Sequence, residues 1–515
     1  MCEPMISTGA GLDDVANLTG ELSIADQPQV SDHTDLVQST LRKAILCFNQ
    51  TATAALQQGQ QVLASGDDAP IARSEAVAEI SLLYREVYQL SHDAKILRHW
   101  MERSIVERVS LLGGQGGPYT KDLLKHFHKR IMENARNELS SSDDEACVLW
   151  QTAEECYKEA IRPSGRLGSD SYFYWLDRAA EESHEHENRL DVDEHHADLR
   201  SSNMEVHEAR KMRERQETRQ SWVEFWVRAL RTCPGGPILF YPPAACSAAR
   251  SIEGPPFEDV PRYLFRAFDS KGSGKTEDNF LASTMSMFGN PEGSKVDILS
   301  LETHSASEML YTHLVKDRFG GSTSDNLMSW SSSLMSVIQF AIWRSHIGNL
   351  SPAEVRICVI DAAKFPLGQF IRDITLLKAF DNMELSEDQK QFFRFRLENP
   401  EYDNGEYVSQ GVVNHRGQSC TFSLKDLIDG GLYELYPEFR DTGSGGLWTN
   451  WVRELRLSWD TERETTRQEI YHAFSMARIC SGSFLSELDI AVLLLTFKNR
   501  KLQVPGKTHF PTIAA

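Results

Sequence analysis

Arginine, a serine pair and glutamate stand in one order along this chain, each on a stretch that reads as a strand. Tyr263-Leu264-Phe265-Arg266-Ala267-Phe268-Asp269-Ser270 is apolar with one arginine near its end. Leu327-Met328-Ser329-Trp330-Ser331-Ser332-Ser333 ends in serines and feeds an apolar helix through Leu334, Val337, Ile338 and Ala341. Gly405-Glu406-Tyr407-Val408-Ser409 then offers a carboxylate. A guanidinium is a planar fork of donors suited to a diphosphate. A carboxylate can stabilise positive charge that develops during a reaction, and hydroxyls can orient both. Taken singly, each has a plainer use: a surface ion pair, a turn, an ordinary strand residue.

In this order the residues resemble the catalytic core of the ADP-ribosyltransferase toxins of pertussis and cholera type, over roughly residues 261–440. Arg266 matches the family's aromatic-Arg-x-Asp-Ser setting with one extra residue before Asp269. His313, in Tyr311-Thr312-His313-Leu314, matches a histidine on the helix before the serine strand. Ser329-Trp330-Ser331 stands for Ser-Thr-Ser, with a bulky Trp330 at its centre. Val355 to Asp361 resembles the next apolar strand, and Glu406 the catalytic glutamate. Arginine-modifying members carry Glu or Gln two positions upstream, where this chain has Asn404. The chain also resembles fungal proteins sharing an uncharacterised domain of this pattern, a kinship that supplies no function.

The resemblance implies NAD as substrate, an unknown protein acceptor or water, and no metal. Breaking the nicotinamide–ribose bond builds positive charge on the ribose, as in glycoside chemistry. Glu406 would stabilise that charge and Arg266 would hold the diphosphate. Catalytic roles thus fall to Glu406, Arg266 and Ser331; NAD binding falls to Arg266, Asp269, His313, Ser329 and Ser331.

The elements that must position these residues follow from composition and pattern. A chain of 515 residues with 41% hydrophobic and 25% charged residues is expected to form two or three globular domains. Its net charge of −20 argues against nucleic acid or an anionic membrane as partner. Residues 1–14 lack a signal-peptide pattern, and Ile490–Phe497 is too short to span a bilayer. Nine scattered cysteines form no Cys-x-x-Cys pair. Together these features predict reduced thiols and an intracellular, cytoplasmic location, with the basic Lys498–Lys501 leaving a nuclear one open.

The expected fold class is α+β: a helical N-terminal region, then an ADP-ribosyltransferase-like split antiparallel sheet with C-terminal helices. Residues 1–34 read as a polar tail, 35–232 as the helical region, 233–258 as a Pro/Gly linker, 259–460 as the sheet domain, 461–503 as C-terminal helices and 504–515 as a tail. Ile238–Tyr241 and Leu432–Tyr436 read as short strands. Ile80, Leu83, Val87, Leu90, Ala94, Leu97, Met101 and Ile105 recur at heptad spacing. Two readings stand there: a buried helix of an intrachain bundle, or a homodimer through 80–105.

The acidic and His-rich stretch 181–204 contains Glu181, His184, His186, Asp191, His195 and His196. It lacks His-Glu-x-x-His spacing and reads as a solvated segment rather than a zinc or manganese site. Neither a Walker nor a Gly-x-Ser-x-Gly motif is present. Three functions therefore compete: NAD-dependent ADP-ribosyl transfer or NAD hydrolysis, a catalytically silent ligand- or protein-binding module on the same fold, and a helical interaction scaffold.

Overall fold

The computed structural model describes residues 31–64, 74–142, 144–162, 164–184, 197–241, 260–272, 274–277, 279–288, 292–315, 325–381, 385–440, 447–480 and 486–501. The N-terminal tail to residue 30, the middle of the acidic segment, the linker from 242 to 258 and the last fourteen positions lie outside them. The chain divides into two compact units, 1–104 and 105–515.

Helices α1 (Ser31–Ala64) and α2 (Ser74–Gly113) supply the first unit, the end of α2 continuing into the second. The expectation that the heptad stripe is buried fails within that unit. Leu83, Leu90 and Leu97 are half-buried, but Ile80, Val87 and Met101 are exposed. The reason is geometric: a single neighbouring helix can cover only one side of a stripe this wide.

In the second unit, α3 (Thr120–His126), α4 (His128–Ser141), α5 (Glu145–Ala160), α6 (Ser169–His184) and α7 (Ala197–Thr232) complete the helical region. Their common core is aromatic. Trp222, Phe225 and Trp226 of α7 are buried with Phe127, Trp150 and Tyr157, and the Trp222 indole donates to the Leu167 carbonyl at 2.8 Å. The expected strand at Ile238–Tyr241 reduces to one bridge, Ile238 to Gln410.

Beyond the linker the chain is α+β. Strands β1 (Tyr263–Phe268), β4 (Leu327–Ser331), β5 (Arg356–Asp361), β6 (Ile371–Arg372), β7 (Glu406–Gln410) and β9 (Ser419–Ser423) form an antiparallel sheet in the order β6-β7-β4-β1-β5-β9. A smaller sheet joins β2 (Lys275–Thr276), β3 (Phe280–Ala282) and β8 (Val412–Asn414).

Period-two alternation assigns each face of the larger sheet its own core. Leu264, Met328, Trp330, Cys358, Ile360 and Tyr407 pack with Leu281 and Val413 of the smaller sheet. Phe265, Ile357, Val359 and Phe422 pack under helices instead. Of the helices, α8 (Thr303–Val315), α10 (Asp373–Phe380) and α11 (Glu387–Glu398) gather around Leu327, Ile371 and Val408.

Helix α9 (Leu334–Gly348) covers Phe265. It begins at Ser333, whose side chain accepts the Ser336 amide, and ends at Asn349 in the left-handed region. Helices α12 (Trp448–Ser458), α13 (Arg467–Cys480) and α14 (Glu487–Leu495) share that core through Val452, Met476 and Leu494. Leu432–Leu435 is a turn of helix rather than the expected strand. Gly431, at φ 106°, sets its start, and the turn packs its buried Leu432 and Leu435 into the same core.

One glycine decides the path between sheets. Gly411, at φ 71°, separates β7 from β8, and a Cβ there would run into the Ile238 side chain. Gly411→Ala is therefore expected to lower unfolding free energy by about 1–3 kcal/mol, from left-handed strain and crowding. A denaturant titration giving an unchanged midpoint and slope would refute this account of the crossing.

Candidate functional site

The serine strand β4 lies between the arginine strand β1 and the glutamate strand β7. Along β7 the ladder is continuous, from Leu327 opposite Gln410 to Ser331 opposite Glu406. Against β1 it is a single pair, Phe265 opposite Ser331. Directly opposed residues of antiparallel strands share a face, so Ser331 and Glu406 lie on the same face as Phe265. Arg266, one residue on, starts from the opposite face. Its Nη1 turns to donate to the Ser329 main-chain carbonyl at 2.6 Å, between strands that no longer pair. Burial lowers the Arg266 pKa, and its Nε has no hydrogen-bond partner among the described residues.

Ser329 belongs to a chain of polar groups. Its Oγ lies 2.7 Å from His313 Nε2 on α8, and His313 Nδ1 lies 2.8 Å from a carboxylate oxygen of Asp325. Asp325 also accepts the Leu327 amide, which fixes it at the start of β4. His313 and Asp325 are buried, whereas Ser329 is part-exposed. With Nδ1–H donating to the carboxylate, Nε2 is left to accept the serine hydroxyl proton, so Asp325 sets the tautomer. The resemblance had indicated His313 and Ser329; Asp325 carried no motif, and only its place just ahead of the strand could have marked it.

Ser331 closes the other end of β4. Its Oγ donates to the Asn404 carbonyl at 2.6 Å and accepts the Ser333 amide at 3.0 Å, while the Ser332 amide donates to the Gly405 carbonyl. These bonds fix where β7 begins and therefore where Glu406 stands. Asn404 is buried, accepts Ser336 Oγ through its side-chain oxygen, and has no partner for Nδ2 among the described residues. Trp330 faces away from the serines into the core and donates its indole hydrogen to Ser409 Oγ at 2.9 Å.

Glu406 is held by a partner absent from the sequence expectation. Arg396 of α11 donates through Nη2 to Glu406 and also, at 2.5 Å, to Asp373 at the start of α10. The Glu406 side chain keeps 22% of its exposure, and that of Asp373 none. Burial, reinforced by the charge of Glu406, pushes the Asp373 carboxyl up from 3.8 to about 7. Asp269 is likewise committed: it forms a buried pair with Arg344 of α9 at 2.5 Å. The structure therefore brings together Ser329, Ser331, His313 and Glu406 along β4 and β7. Arg266 joins them through the Ser329 backbone, and Asp269 is taken up by Arg344.

A family model described as a domain of unknown function, DUF7587, matches residues 259–427. No curated protein and no solved structure matches the chain. Among the described residues, no group of three His, Cys, Asp or Glu side chains is placed to hold a metal ion, and no helix is long and apolar enough to cross a membrane. The described cysteines, Cys47, Cys147, Cys156, Cys233, Cys358, Cys420 and Cys480, are free thiols.

The raised Asp373 pKa has a defined sign in stability. Between pH about 4 and about 7 the folded protein retains a proton that the unfolded chain has released, so this group makes stability fall as pH rises through that window. Asp297, raised to about 6 chiefly by burial, acts in the same direction in wild type and variant alike. Asp373→Asn is expected to flatten the decline over pH 4–7. Denaturant midpoints for both proteins that run parallel across that range would exclude Asp373 as its source.

Proposed function

We propose that the chain consumes NAD, as a mono-ADP-ribosyltransferase or, with water as acceptor, an NAD glycohydrolase. The reading is carried by one observation: the arginine, serine and glutamate strands are neighbours in the order β1-β4-β7, with Ser331 opposite Glu406. The split antiparallel sheet that the resemblance implies is consistent with β1 and β4 parting after a single pair.

In this reaction the bond between ribose C1 and the nicotinamide nitrogen breaks, and its electron pair leaves with nicotinamide. Glu406 stabilises the cationic ribose that remains. An acceptor oxygen then bonds to C1, and its proton passes through the Ser329 hydroxyl to His313 Nε2, with Asp325 steadying the imidazolium. Ser331 orients Glu406 by fixing the start of β7. Arg266 holds the diphosphate in the proposed complex, while its bond to the Ser329 carbonyl keeps the serine in place.

A second reading, a silent binding module on the same fold, is favoured by the Arg396 clamp on Glu406. A carboxylate already neutralised by a guanidinium gives less stabilisation to a second cation. Trp330 in place of the family's Thr supports that reading too.

Nicotinamide release from NAD by the purified chain separates the two. Glu406→Gln is expected to lower turnover by on the order of a hundredfold or more with little change in NAD binding. Arg266→Ala is expected to weaken binding as well as turnover, because a diphosphate grip acts in ground and transition states alike. Failure of the wild type to bind NAD would end the reading. Binding without release, indifferent to Glu406→Gln, would leave the silent module.

A further inference from the structure

The heptad stripe of α2 is divided lengthwise. Leu83, Leu90 and Leu97 lie on the same side as Asp93, whose carboxylate takes the Thr51 hydroxyl of α1 at 2.9 Å. The other side carries Val77, Ile80, Tyr84, Val87, Tyr88 and Met101, each between 50% and 72% exposed. Val77, Ile80, Tyr84 and Val87 recur at alternating intervals of three and four, and Ala94 and Met101 continue the same line. Such a line matches one straight helix bearing the same repeat.

Charge along the helix selects the occupant. The first half of α2 carries Glu75, Glu79, Glu86 and Asp93 against Arg85. The second half carries Lys95, Arg98, Arg103 and Arg108 against Glu102 and Glu107. A parallel copy would set acidic half on acidic half and basic on basic. An antiparallel copy sets the acidic half of each helix against the basic half of the other, and it opposes the two helix dipoles. The surface is complementary to itself under a two-fold axis. This local balance matters in a chain whose net charge of −20 otherwise opposes self-association.

We propose that the exposed side of α2, from Val77 to Met101, is the contact through which two copies of this chain associate antiparallel. The association is independent of whether the sheet domain consumes NAD.

Sedimentation velocity on the full chain tests it, with circular dichroism confirming that each variant keeps its helix content. Wild type is expected to dimerise, and Tyr84→Glu with Val87→Glu to raise the dissociation constant more than ~tenfold. A variant with Glu75→Lys, Glu79→Lys and Glu86→Lys should also weaken self-association, as should one with Lys95→Glu, Arg98→Glu and Arg103→Glu. Mixing these two variants should restore a dimer containing one copy of each. A parallel pair would already repel in wild type, so only the antiparallel arrangement is weakened by either swap alone. A monomeric wild type at tens of micromolar, or folded charge variants that self-associate as the wild type does, would overturn the proposal.

Discussion

Strand β4 must serve two neighbours in different ways. Its main chain is fully paired with β7, yet it meets β1 only where Phe265 faces Ser331. Past that point the Ser329 carbonyl needs a donor, because a buried acceptor left without one costs about 1–3 kcal/mol. Arg266 supplies it from its side chain. A guanidinium thus does the work of a missing strand, and Ser329 keeps a fixed backbone while its hydroxyl faces His313. Removing the arginine would loosen the serine whatever else the guanidinium holds.

The charges around this strand are arranged by the same economy. Asp269 with Arg344, and Asp373 with Arg396 and Glu406, place titratable groups where water is scarce. Pairing offsets the desolvation, and losing one partner of such a set commonly costs about 3–5 kcal/mol. Arg396 is shared between two carboxylates, so its positive charge is divided, and Asp373, the more deeply buried, is the one that tends to hold a proton.

Sequence pattern exposes the parts of this arrangement that repeat. The strands at 263–268, 327–331, 356–361 and 406–410 follow from apolar runs bounded by turn residues, and the serines and Glu406 follow from their order. Asp325, Asp373 and Arg396 do not. Each reaches the site from a separate element, and no periodicity links an aspartate just ahead of β4 to an arginine late in α11. Leu432–Tyr436 misleads for a different reason: five residues, mostly apolar or aromatic, suit a strand or a buried turn of helix equally. The α2 stripe was legible as a heptad pattern, but spacing alone gives no sign of how much of it α1 covers.

The matched family segment ends at residue 427, yet the face of the sheet carrying Phe265, Ile357, Val359 and Phe422 is closed by Val452, Met476, Ile490 and Leu494. During synthesis, β1 therefore leaves the ribosome long before the residues that will cover it. The nascent sheet has one face provided for by β3 and β8, while the other, covered in part by α9, waits for α13 and α14. The last stage of folding therefore waits for α13 and α14, and the order of events is set by helices beyond the segment that carries the motif.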